Sequence, residues 1–391
     1  MRNLDSARKY MLENGIDCWL VYDFRGSNPV LAQLLEAGVA TSRRSFLVIP
    51  AKGEPVILTH VIESTSYPDM PVEIEYYVSW EELKEKLGEK LKGCKKVAME
   101  YFPEGMIPTM SIVDGGTLEL VRSLGVEVVT SADLFQLAAA TWDETGLKSH
   151  LSAADIVTKV IGRAFSFIGE TLREGKNLTE YDVQMFIRDR LVNRGFEPPG
   201  HPIVAVNENS GNPHYFPTEE KHSPITAGDW VLIDMWGRLK GEQTIAADIT
   251  WVGYAGKDIP QKMQEIFDIV VDARNLVVER LKQAWSSGEK LKGYMLDDVA
   301  RERIRGAGYG EYFTHRTGHN IGPGDFSHGL GVNLDNLETH DAREILPDIG
   351  FSVEPGIYLP EFGVRSEIDV FMSPDGPLVT TSPQKEIIKI L

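Results

Sequence analysis

Four stretches of this chain read as buried β-strand, yet each holds a carboxylate where a strand ordinarily places an aliphatic side chain: WVLIDMWG with Asp234, AADITWVGY with Asp248, GFSVEPGIYL with Glu354 and VRSEIDVFM with Glu367. Acidic residues are depleted in strands, and burying one unpaired costs several kcal/mol. Taken singly, each reads most simply as a turn former, an edge charge or a solvent-facing side chain. Together, on neighbouring segments, they repel one another severely unless a cation neutralises them, and a divalent metal is the simplest neutraliser. Any fold for this chain has to bring the four segments round a common charge.

The stretch YFTHRTGHNIGPGDFSHGLG adds His315, His319 and His328 in a Gly-rich context that excludes regular helix. Loop residues of this kind often carry function, although a single histidine there is more often a hydrogen-bonded structural residue. A nitrogen donor beside carboxylates completes a site suited to Mn, Co, Fe or Zn.

Length sets the frame for these segments: 391 residues exceed the usual size of one hydrophobic core, so two domains are expected. The first half alternates a helical pattern from Leu4 to Asn14 with short apolar runs, CWLVYD, SFLVIP, PVILTH, KKVAME and VEVVTS, which predicts a small α/β domain ending near residues 140–143. The second half opens on a long amphipathic helix, with Leu147, Leu151, Ala154, Val157, Ile161, Phe165, Ile168 and Leu172 at three- or four-residue steps up to Gly175. A second helix starts at Thr179, where Asp182 three residues on makes a capping box, and stops at Gly195. Two further helices, 260–284 and 296–305, precede strand-like sequence, so the expectation is an α+β domain with helices on a curved antiparallel sheet.

Composition narrows the partners. A formal net charge of -18 and a pI near 5.0 repel phosphate backbones and anionic lipid, which argues against nucleic acid and membrane surfaces. Cys18 and Cys94 lie far apart in sequence and outside metal-ligand spacing, so a disulfide framework or thiolate zinc site is not expected. The charged amphipathic start and the lack of a run of about 18 apolar residues point to a cytoplasmic protein.

Taken together, PHY at 213–215, IDMWG, AADITWVG, HRTGHNIG, SVEPGIYL and GVRSEID resemble the pita-bread metallopeptidases, family M24, in the branch containing prolidase, aminopeptidase P and creatinase. The resemblance implies an α+β pita-bread catalytic domain over 143–391, preceded by a smaller α/β amino-terminal domain of the creatinase type over 1–142. It implies two divalent ions, Mn, Co or Zn: Asp234 binding one through both oxygens, Asp248 and Glu367 bridging, His319 and Glu354 completing the second. It further implies that Glu354 moves protons, that His214 and His328 lie near the reacting carbonyl, and that Arg365 and His315 support the site, with structural roles weighing as much as substrate contact for these last four. His201 and His222 have no clear family position. A homodimer is implied as well, the amino-terminal domain or its copy in a partner walling the cleft.

Paired divalent ions lower the pKa of water towards neutrality, so attack on an amide carbonyl is the implied chemistry, on a small peptide substrate. The prolidase and aminopeptidase P branch implies a bond preceding proline, which has no amide hydrogen. Tyr215, Phe216 and Tyr358 are candidates to line a pyrrolidine pocket, with core packing the simpler role for each. Three departures bear on substrate identity. Asp234 and Asp248 are fourteen apart (248 − 234), His319 and His328 nine apart (328 − 319), and GLGVNLDNLETHDAREILP precedes Glu354. A metal-dependent hydrolase or lyase of a small non-peptide metabolite, and a non-catalytic binding module on the same fold, stand as the alternatives.

Overall fold

This computed structural model describes residues 3–36, 41–67, 72–197, 201–241, 243–323 and 328–391. The chain divides into two compact units, Met1–Ala139 and Ala140–Leu391. The division falls three residues before the expected boundary because Trp142 belongs to the second unit: its Nε1 donates to Ile321 O at 2.7 Å and its ring stacks on Phe371.

The first unit runs α1 (Leu4–Glu13), β1 (Cys18–Phe24), α2 (Pro29–Leu35), β2 (Arg44–Pro50), β3 (Val56–His60), β4 (Glu73–Tyr77), α3 (Trp80–Lys90), β5 (Lys96–Met99), α4 (Gly115–Arg122), β6 (Glu127–Thr130) and α5 (Ala132–Ala139). Its strands form one mixed sheet in the order β4-β3-β2-β1-β5-β6. Alternate residues Cys18, Leu20 and Tyr22 of β1 face Leu83 and Leu87 of α3 and Leu118 and Val121 of α4, as the two-residue strand period requires. Cys94 packs against the same cluster, so the fold brings both free thiols together although 76 residues (94 − 18) separate them. The buried carboxylate Glu100, just past β5, accepts from Trp19 Nε1, Asn28 Nδ2, Ser131 Oγ and Tyr22 N.

The second unit runs α6 (Glu144–Arg173), α7 (Glu180–Val192), β7 (Ile203–Val206), β8 (Trp230–Gly237), β9 (Ala247–Tyr254), α8 (Gln261–Ser287), α9 (Gly293–Gly306), β10 (Asn320–Ile321), β11 (Gly350–Val353), β12 (Gly356–Tyr358), β13 (Gly363–Arg365), β14 (Ile368–Ser373), β15 (Gly376–Val379) and β16 (Ile388–Lys389). Asp143 caps α6 by accepting from Gly146 N, and the Thr179–Asp182 capping box starts α7. Both helices pack on the sheet β16-β9-β8-β7, where Val231, Ile233 and Met235 of β8 and Ala247 and Ile249 of β9 meet Val157, Ile161 and Phe165 of α6. Because strand side chains alternate, Asp234 and Asp248 must project from the opposite face. The pairing Asp234↔Thr250 and Trp236↔Asp248 keeps them near one another there.

Glu354 and Glu367 differ from expectation: neither lies within a strand. Val353 pairs with Ile368 and Gly356 with Arg365, so Glu354-Pro355 and Ser366-Glu367 are two facing breaks, one between β11 and β12, the other between β13 and β14. Pro355 has no N–H to give a ladder. The glutamate amides bond elsewhere, Glu354 N to Thr317 O at 2.7 Å and Glu367 N to Thr250 O at 3.3 Å. The breaks thereby tie the hairpin β12–β13 and the sheet β10-β11-β14-β15 to the sheet that carries the aspartates.

Candidate metal centre

The polar faces converge on an open cleft of about 380 Å³ lined by Asp234, Asp248, His319, Glu354 and Glu367, with Arg365, His315, His328 and His214 beside them. Asp248, His319 and Glu367 are buried and each offers one donor atom within 4.8 Å of the others. His319 Nε2 lies 3.7 Å from Asp248 Oδ2 and 3.4 Å from Glu354 Oε1. The other ring nitrogen, Nδ1, sits 3.2 Å from Asn320 O and must donate to it, which leaves Nε2 as a bare lone pair pointing at the carboxylates.

Each donor is fixed from behind. Asp248 N donates to Asp369 Oδ2 at 2.8 Å, Thr250 Oγ1 donates to Glu367 Oε2 at 2.7 Å, and Ser352 Oγ, which accepts from His319 N, donates to Glu354 Oε1 at 3.0 Å. Arg274 of α8, buried, donates to Ser366 Oγ at 2.6 Å and so fixes the break that carries Glu367. Gly318 permits the close approach of this loop to β11: a Cβ there would sit 2.0 Å from Ser352 O.

The electrostatics match a cation site. Burial raises the carboxyls of Asp234 and Glu354 above their ordinary range, and burial together with mutual repulsion raises Asp248 and Glu367 well above it. Arg365 partly offsets this, its Nη2 on Asp234 Oδ2, its Nη1 on Tyr358 Oη and its Nε on Thr250 Oγ1. Asp248 Oδ1 is buried and has no hydrogen-bond partner among the described residues. Hard carboxylate oxygens with one imidazole, one oxygen still orphaned, fit a divalent cation.

The other histidines differ in what they can do. His315, pushed down to about 3 by burial and Arg365, is neutral; its Nδ1 donates to Arg316 O and its Nε2 accepts from Tyr358 Oη at 2.6 Å, so both nitrogens are engaged. His328 packs its ring 4.1 Å from that of His319 and accepts at Nδ1 from Arg316 Nη2 at 3.2 Å. That bond sets the tautomer, so Nε2 carries the proton. His214 is exposed at the cleft rim, and its segment is held by Tyr215, whose hydroxyl reaches buried Glu180 at 2.5 Å. His201 meets Phe216 edge-on and His222 Nδ1 bonds Thr218 O, neither lining the cleft.

Core packing, the simpler expectation, holds for Tyr215 and Tyr358, which are buried with their hydroxyls occupied; Phe216 departs from it and is turned to solvent, and Trp236 of β8, with Ile203 and Pro213, lines the cleft. Strand alternation from Asp234 identifies Trp236, two residues on, as sharing its face. Arg316 and Glu338 also line the cleft. Residues 324–327, within the stretched spacing between His319 and His328, and Glu242 of the longer β8–β9 connection lie outside the described residues.

The model of metallopeptidase family M24 matches residues 149–374. The chain belongs to metallopeptidase family M24. Membership implies divalent metal ions, in agreement with the donor set. This M24 chain is 34% identical over 222 residues to the putative dipeptidase YkvY of Bacillus subtilis, covering 56% of this chain and 54% of that one. It is 29% identical over 238 residues to the Xaa-Pro dipeptidase of Pyrococcus furiosus, covering 60% and 61%. The matched part thus spans less than two thirds of those relatives. The crystal structure of dipeptidase PepE from Mycobacterium ulcerans superposes with a TM-score of 0.70 at 22% identity, covering 99% of this chain and 97% of that one, a likeness of fold that includes the first unit. No helix among the described residues is long and apolar enough to cross a membrane.

Proposed function

We propose that this M24 chain hydrolyses the peptide bond preceding proline in short peptides, as an Xaa-Pro dipeptidase or aminopeptidase, with two divalent ions, Mn, Co or Zn, held by Asp234, Asp248, His319, Glu354 and Glu367. The observation that carries this reading is the convergence of Asp248, His319 and Glu367 donor atoms within 4.8 Å of one another, with Asp248 Oδ1 buried and unpartnered among the described residues. The relatives named Xaa-Pro dipeptidase support the substrate class. A cytoplasmic homodimer belongs to the same reading, resting on the family resemblance.

The ions, when bound, supply a water acidified towards neutral pH and a polarised carbonyl. The chain's own groups do the rest. Glu354, whose raised affinity for protons suits a shuttle, takes the proton of the attacking water and delivers it to the leaving nitrogen. His328 points its Nε2–H, fixed by Arg316 on the far nitrogen, at the developing negative charge on the carbonyl oxygen, and His214 approaches from the rim. Ile203, Pro213 and Trp236 offer the apolar surface a pyrrolidine ring needs.

The test is a peptide panel with added manganese, cobalt or zinc: Ala-Pro, a longer peptide with proline second, and Ala-Ala. Cleavage before proline, absent in a folded Asp248→Ala variant, is expected. Equal cleavage of Ala-Ala, or undiminished turnover by the variant, overturns the reading.

A further inference from the structure

The chain's two cysteines, 76 residues apart in sequence (94 − 18), meet on one face of the first unit, away from the cleft residues. Cys18 opens β1 and is buried in the cluster that holds Leu83, Leu87 and Val97. Cys94 is half-buried on the turn between α3 and β5 and packs against the same cluster.

The backbone fixes this meeting. Cys18 pairs with Val97 in the parallel register of β1 and β5. Asp17, just before it, donates its N–H to Lys96 O at 2.9 Å, and its Oδ2 accepts from Lys95 N at 2.7 Å and Lys96 N at 2.9 Å. On the other side, Gly93 at φ 91° turns the chain and Cys94 N donates to Leu91 O at 3.0 Å. Cys94 is thereby held between the end of α3 and the start of β1.

The two thiols are unlike. The Cys18 S–H donates to the Cys94 sulfur, and that bond holds the Cys94 thiol below its ordinary range, against the opposing effects of partial burial and the Asp17 carboxylate. The same bond, with burial, raises Cys18 well above its own range. One sulfur is reachable from solvent and the other is sealed beside it. Packing alone would be served by any small apolar residue, whereas a reachable thiol next to a second one that can resolve it is the arrangement peroxide chemistry requires.

We propose that Cys94 and Cys18 form an intramolecular oxidation site, in which a hydroperoxide oxidises Cys94 and Cys18 resolves it to a disulfide within the first unit. The Cys94 thiolate attacks one peroxide oxygen, the O–O bond breaks, and the departing hydroxide takes up the proton Cys94 gave, leaving Cys94 as a sulfenic acid. The Cys18 sulfur then attacks the Cys94 sulfur, and the S–O bond breaks as the S–S bond forms. The expelled oxygen takes the Cys18 proton and leaves as water. With hydrogen peroxide, two thiols and one peroxide give one disulfide and two waters.

The test treats the full chain, reduced and then freed of reductant, with a small molar excess of hydrogen peroxide at neutral pH. Thiols titrated after denaturation are expected to fall from two to none. Digestion should yield the Cys18 and Cys94 peptides joined and two hydrogens lighter than their sum, a link reversed by dithiothreitol. At the same dose Cys94→Ser should leave Cys18 titratable, and Cys18→Ala should leave Cys94 as a sulfenic acid captured by dimedone. Two thiols surviving in wild type, disulfides only between chains, or the two sulfurs carried separately to sulfinic or sulfonic acid overturn the inference. Loss of Cys18 at the wild-type rate in Cys94→Ser overturns the order of attack. The wild-type measurement decides by itself should either variant fail to fold.

Discussion

Replacing Glu367 by glutamine separates what the carboxylate cluster does for metal from what it does to the fold. Asp248 and Glu367 place oxygens within 4.8 Å of each other, both nearly sealed from solvent at 7% and 2% exposure. At that separation two negative charges repel by roughly 3 kcal/mol with an effective dielectric constant near 20. Burial, and then the Asp248 charge, raise the Glu367 carboxyl well above 4.5, so the folded chain stripped of metal keeps a proton that the unfolded chain releases. Its stability therefore falls as pH rises above about 4.5, and Glu367→Gln removes that loss. Glutamine can still accept the Thr250 hydroxyl, so the lattice behind it survives. In chelator at about pH 8, Glu367→Gln is expected to be more stable than wild type by roughly 3 kcal/mol, with the gap closing towards pH 4. With manganese added the order reverses, because wild type gains binding energy and the variant gains little. Urea unfolding followed by circular dichroism, in chelator and in manganese across this pH range, measures both. A variant less stable than wild type in chelator at pH 8, or one gaining as much from manganese, would refute the reasoning.

Gly318→Ala would drive a methyl group against Ser352 O, 2.0 Å away, and part His319 from β11, the strand that ends just before Glu354; a cost of about 1–3 kcal/mol and about tenfold weaker manganese binding are expected, read by melting and metal titration. In the first unit, burial pushes Glu100 up to about 7 in spite of its four donors, so its stability contribution is present below about 4.5 and is lost as pH rises through 7, about 3 kcal/mol in all. Glu100→Gln should flatten the pH dependence of urea stability across that window, and an unchanged slope would count against the assignment.

Much of this was legible in the residues. The two-residue period of WVLIDMWG and AADITWVGY puts the aspartates opposite the helix-packed face, and the spacing of Val157, Ile161 and Phe165 predicts α6, because both patterns are local. Glu354 and Glu367 were visible as anomalies but not as breaks, since the facing of Glu354-Pro355 with Ser366-Glu367 depends on cross-strand register. Trp236 could be read from the two-residue period that starts at Asp234, whereas Arg316, Glu338 and Asp297 carried no periodic signal that singled them out; their places arise from contacts such as Asn336 N to Asp297 Oδ2 that join residues far apart in sequence. Glu100 also limits the inference from anomaly to metal: a lone carboxylate can be buried when four donors surround it, whereas the cleft gathers several and leaves an oxygen unserved.

The paired interruptions at 354–355 and 366–367 have a consequence for how this fold can diversify. Each glutamate hangs from a point where the sheet has already surrendered its regular hydrogen bonding, so changing the loops on either side does not unzip the strands. Loops that do not touch the candidate ligands can lengthen, shorten or change character while Glu354 and Glu367 stay at their stations; 329–347 is not one of them, since Leu334 N bonds Gly318 O and Asn333 Oδ1 accepts from Asn320 N on either side of His319. A scaffold built with such seams lets substrate choice drift independently of the chemistry it serves.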